Sequence, residues 1–127
     1  MADLPASGLQ IRTLVTESGK LELSLEEVPV KAPGPEDIVV RVEGTPINPS
    51  DLGLLVGGAD MSTAVQGGTA DRPTVSADVP GGAMRMMQAR IGQSMPVGNE
   101  GAGTVVAAGE SPEAQALIGK MVTCIGG

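Results

Sequence analysis

The chain has 127 residues, enough for one domain with a modest core. Fifteen acidic against eight basic residues give a net charge of −7 with no basic run, which argues against nucleic acid and anionic membrane surfaces as partners. There is no Phe, Trp, Tyr or His, so a core must come from Val, Leu, Ile, Ala and seven Met, and imidazole chemistry is excluded within these residues.

In chain order, Leu9, Ile11, Thr13 and Val15 share one face of a first strand, and Ser18-Gly19 makes a turn. Leu21, Leu23 and Leu25 alternate with Glu22, Ser24 and Glu26, the pattern of a half-buried strand. Residues 28–35 carry Pro29, Pro33, Gly34 and Pro35 and read as an extended connector. Ile38, Val40 and Val42 are expected to form the inward face of the next strand.

The stretch from Pro46 to Gly53 then carries several agreeing signals. Asn48 reads as an N-cap, Pro49 suits the first helical position, and Asp51 falls near the positive end of the helix. Ile47 and Leu52 have the spacing of a hydrophobic staple, and Gly57-Gly58 ends the helix.

From Ala59 to Pro96 the pattern dissolves into Gly, Ala, Ser, Thr and Asp, and the expectation is a long loop or insertion, functional or mobile. Within it, Met84, Met87 and Ile91 have helical spacing over residues 83–91. That face either packs on the domain or forms a flexible Met-lined surface over a pocket or subunit contact. Thr104 to Ala108 reads as a strand. Ser111-Pro112-Glu113 reads as a helix cap and first turn, and Lys120 to Ile125 as a last strand. Ending on Gly126-Gly127 straight after a strand reads as a cut, and the lack of aromatics is easier to accept in a segment of a longer protein. The expected class is mainly β, a small barrel with short helices.

The turn Ile47-Asn48-Pro49-Ser50-Asp51 after the strand Ile38–Val42 resembles the N-terminal domain of the medium-chain dehydrogenase/reductases, in particular the zinc-free quinone oxidoreductase and enoyl reductase branches. A second landmark is Gly98-Asn99-Glu100-Gly101-Ala102-Gly103 running into Thr104-Val105-Val106. A third is Gly109 followed by Leu117-Ile118-Gly119-Lys120-Met121-Val122. The resemblance, which covers residues 9–127, implies a partly open GroES-like barrel, the substrate-side domain that precedes a Rossmann domain absent from this chain. It also implies NAD(P)H-dependent hydride transfer to a quinone or an α,β-unsaturated carbonyl, with NADPH (or NADH) held mainly by that other domain, and a homodimer in the longer protein.

Subtraction sharpens this. Without His, no Ser-His-Asp or Cys-His system exists, and with one Cys neither a structural nor a catalytic zinc site can be built. Where the zinc alcohol dehydrogenases carry a cysteine, early in the 47–51 segment, and a histidine, at Asn99, both ligands are missing. No metal is therefore expected. Gly101-Ala102-Gly103-Thr104-Val105-Val106 is not a dinucleotide fingerprint, because the third glycine position is Val106 and the following residues are strand-like.

Asn48 remains as the catalytic candidate: it is a cap, or its amide also faces the nicotinamide or a substrate oxygen. The resemblance puts Ser50 and Asp51 on the same nicotinamide side, with Asn99 and Glu100 as supporting residues. Glu100, between glycines, is expected to be at least partly buried, supporting the fold or orienting Asn48. Cys124 is expected to be a small buried strand residue; being unpaired, it suits a reducing cytosol. No apolar run approaches the roughly 20 residues that span a bilayer. Met1 to Leu9 lacks the pattern of a signal peptide. The expectation is a cytoplasmic enzyme. The rival reading is a non-enzymatic GroES-like module, a co-chaperonin or interaction domain using 59–96 as its binding loop.

Overall fold

Alternation of apolar and polar residues dominates the chain, and strands follow from it. The computed structural model describes residues 4–126. Strand outweighs helix by 47% to 17%, so the fold is mainly β, as expected. The order is β1 (Ser7–Val15), β2 (Lys20–Pro29), β3 (Ile38–Gly44), α1 (Pro49–Val56), β4 (Asp60–Gly68) and β5 (Pro73–Asp78). There follow α2 (Gly81–Met86), a 3-10 turn (Gln88–Arg90), β6 (Met95–Pro96), β7 (Glu100–Ala108), α3 (Pro112–Gln115) and β8 (Met121–Ile125). One sheet has the strand order β4-β5-β2-β1-β6 and the other β3-β7-β8, and neither closes on itself.

The described residues form two compact units. The first consists of residues 4–8, 28–46 and 99–126; the second is Leu9–Glu27 with Ile47–Gly98.

In the second unit, Val15, Leu21 and Val79 are buried, and Leu23, Val56, Ala83, Met84, Met87 and Ile91 pack against them. Each such aliphatic side chain is worth about 1.5–3 kcal/mol when fully withdrawn from water. The Met84, Met87 and Ile91 face therefore packs on its own domain. The helix expected over 83–91 is divided: α2 ends at Met86 and a 3-10 turn completes the run.

The segment 59–96, expected as a long loop or insertion, is not structureless. It holds the antiparallel pair β4 and β5, with Gln66 opposite Val75 and Gly68 opposite Pro73, and β5 lies against β2 with Leu23 opposite Val75. The inward side chains here are small, with Ala77 buried and Val75 half-buried, and β4 is exposed nearly throughout. An edge strand with neither face covered has no apolar alternation to display.

In the first unit β7 is central, pairing Gly103 with Val42 of β3 and with Val122 of β8. A Cβ on Gly103 would come within 2.0 Å of the Arg41 carbonyl oxygen, so this strand approaches its neighbour as only glycine allows. Val105 and Ala107 alternate inward from β7, and Ala114 of α3 is buried too. Ser111 caps α3 as expected, its Oγ accepting from the Ala114 N–H at 3.1 Å. Val42, expected to face inward, is 56% exposed, and the β3–β7 register shifts on either side of it.

Candidate functional site

Backbone N–H groups at a helix start need acceptors, and here local residues supply them. Asn48 sits at the N-cap of α1 with φ −93° and ψ 154°, Pro49 occupies the first turn, and Asp51 is at the third position. The Asp51 carboxylate reaches back, Oδ2 accepting from the Asn48 N–H at 2.9 Å, while the Asn48 carbonyl accepts from the Asp51 N–H at 3.0 Å. Asp51 is 8% exposed and its Oδ1 is buried without a protein donor, whereas Asn48 is half-buried and Ser50 is exposed. Asp51 thus holds the backbone of Asn48 in place. The staple is not formed as a packed pair, because Ile47 is 81% exposed.

The other end of α1 has the glycine stop read from the sequence, joined by Thr13 and Arg90, to which sequence reasoning gave no role there. Gly57 follows the helix at φ 53°, a left-handed conformation that favours glycine. The fully buried Thr13 donates its Oγ1 hydrogen to the Leu55 carbonyl at 2.9 Å. Arg90 donates from Nη1 to the Leu54 carbonyl and from Nη2 to Thr13 Oγ1, each at 3.0 Å. A cation at the carbonyl end of a helix is favourable. Its only sequence signal was its place beside Ile91 in the Met84, Met87, Ile91 face.

Asn99 and Glu100 belong to the first unit, while Asn48, Ser50 and Asp51 belong to the second. Glu100 opens β7 opposite Ile125 and is exposed, contrary to the expectation of burial: it stands at the open end of the sheet, next to the edge strand β8. Cys124 is likewise exposed on that edge strand and not buried. These residues line an open concavity of about 430 Å³ formed by Thr45, Pro46, Glu100, Ala102, Cys124 and Ile125. It lies within the size range of small-molecule sites, is mostly apolar, and has Glu100 as its one charged lining residue.

The residues present do not fit the phosphates of a dinucleotide. Ala102 and Gly103 are paired on both sides within β7, and Gly101 pairs with β8, so none of them stands at a strand-to-helix turn. Among the described residues, no three His, Cys, Asp or Glu side chains converge as a metal site would require. Among the described residues no helix is long and apolar enough to cross a membrane. No protein-family model matches the sequence, and no curated protein matches it significantly.

Proposed function

We propose that this chain is the substrate-side, GroES-like domain of a zinc-free medium-chain reductase. The enzyme moves a hydride from NADPH or NADH to a quinone or an α,β-unsaturated carbonyl. The cofactor supplies the hydride and is held mainly by a dinucleotide domain outside these residues. The observation that carries the reading is the strand-to-helix turn after β3. There the landmark residues Asn48, Pro49 and Asp51 form a tightly specified helix start whose half-buried asparagine is fixed through its own backbone.

In this reading the Asn48 side-chain amide donates a hydrogen bond to the carbonyl oxygen that gains charge as hydride arrives, and Asp51 keeps that amide in register. Preorganised donors of this kind lower the barrier because no reorganisation is needed as the charge develops. The rival reading, a GroES-like co-chaperonin or interaction module, offered 59–96 as its mobile binding loop, and that segment holds strands and a helix.

The test is NADPH- and NADH-dependent reduction of a p-benzoquinone and of a 2-enone by the protein made from its complete reading frame. We expect turnover with at least one acceptor. No oxidation of either nucleotide with either acceptor, together with sedimentation as a ring-sized oligomer, would replace this reading with its rival.

A further inference from the structure

A guanidinium partly withdrawn from water favours a negative partner, and Arg90 has no ion pair among the described residues. Two of its five N–H groups are engaged, both by neutral oxygens, those of Leu54 and Thr13. Its Nε is buried without an acceptor. Among the described residues the ion pairs are Lys20–Asp78 and Arg41–Glu43, and neither involves Arg90. Burial holds its pKa below the usual arginine value. The carbonyl end of a helix offers at most about half an elementary charge, so α1 compensates Arg90 only in part.

Arg90 also lines a cavity of about 250 Å³ with Gly53, Gly57, Gly58, Ala83, Met86 and Met87. No acidic side chain lines it. The volume is below the roughly 300–1,000 Å³ of sites for drug-sized ligands, so an occupant has to be small. A single cation against apolar walls matches a monoanion with a short alkyl tail better than a phosphate, which is usually met by several donors. We propose that this cavity binds a short-chain carboxylate, its oxygens on the Arg90 guanidinium and its alkyl chain against Ala83, Met86 and Met87. The site lies at the opposite end of α1 from Asn48 and does not depend on the reductase reading.

Removing Arg90 would also unseat α1, so Met86 carries the test. It lines the cavity yet is 89% exposed, and a substitution there costs the fold little. The ¹H–¹⁵N spectrum of the full chain is followed during titration with sodium butyrate at constant ionic strength. Sodium chloride and inorganic phosphate are the comparison anions. Expected are saturable shifts of the Gly57 and Gly58 amides and of Arg90 Nε–H, with a millimolar midpoint. Met86→Glu should weaken butyrate about fivefold or more, and Met86→Lys should tighten it, by the change of charge at the cavity. Shifts that fail to saturate, that chloride reproduces, that only phosphate gives, or that ignore both Met86 substitutions would overturn the proposal and leave Arg90 as a helix cap alone.

Discussion

Thr13 is a buried polar side chain that the second unit holds by two hydrogen bonds. Its hydroxyl donates to the Leu55 carbonyl and accepts from Arg90 Nη2, and it is fully buried. Thr13→Val keeps the volume and removes both hydrogen bonds, leaving two groups without partners. The expected loss is about 2 kcal/mol in urea denaturation, while Thr13→Ser should lose less because the hydroxyl stays. Equal losses in the two variants would show that the methyl group, not the hydroxyl, carries the stability. Asn48→Ser and Asn48→Asp should leave stability within a few tenths of the wild type and Asn48→Ala should cost about 1 kcal/mol, since the first two cap about as well. At this scale the sequence was legible wherever one local rule decided the outcome, as at Asn48, Pro49, Asp51 and Ser111. Glu100 and Cys124 were misjudged because alternation along a strand says which residues share a face but not whether anything covers it.

Among the elements, β2 and β5 hold the core of the second unit together. Leu21 is fully buried opposite Ala77, in contact with the cluster of Val15 and Val79. In a core without aromatic rings no large neighbour is available to collapse into a hole, so Leu21→Ala should cost about 3–4 kcal/mol. Denaturation of the variant measures this, and a loss under about 1 kcal/mol would mean the cluster is not the core. The exposed edge strand β4 should exchange its amide hydrogens before β1 and β2 do, because few apolar contacts hold it. Protection of β4 equal to that of β2 would contradict the topology. The strands of 59–96 were partly readable after all: Val75, Ala77 and Val79 alternate inward with Ser76 and Asp78 between them. Ala and Ser dilute that signal, and the turn-forming glycines on either side obscure it.

For the molecule as a whole, the sequence reading of a mainly β chain built from antiparallel sheets matches the described structure. The division into two units was not legible, because the chain crosses between them within β1 and again within β2, where no linker composition marks the passage. The proposed function rests on three short sequence landmarks, of which the turn at Asn48 carries the chemical claim. The claim that matters most is that Asn48 acts on a substrate oxygen and is more than a cap. Its direct measurement is the NADPH-dependent quinone or enone reductase rate of wild type, Asn48→Ser and Asn48→Asp in the protein made from its complete reading frame, beside their melting temperatures. A donor lost from such a site costs roughly a hundredfold in rate. The account predicts that both variants melt with the wild type, that Asn48→Asp loses about that factor because its carboxylate cannot donate, and that Asn48→Ser, which keeps a hydroxyl donor on a shorter side chain, falls between them. Three equal rates with three equal melting temperatures would contradict it and reduce Asn48 to the start of a helix.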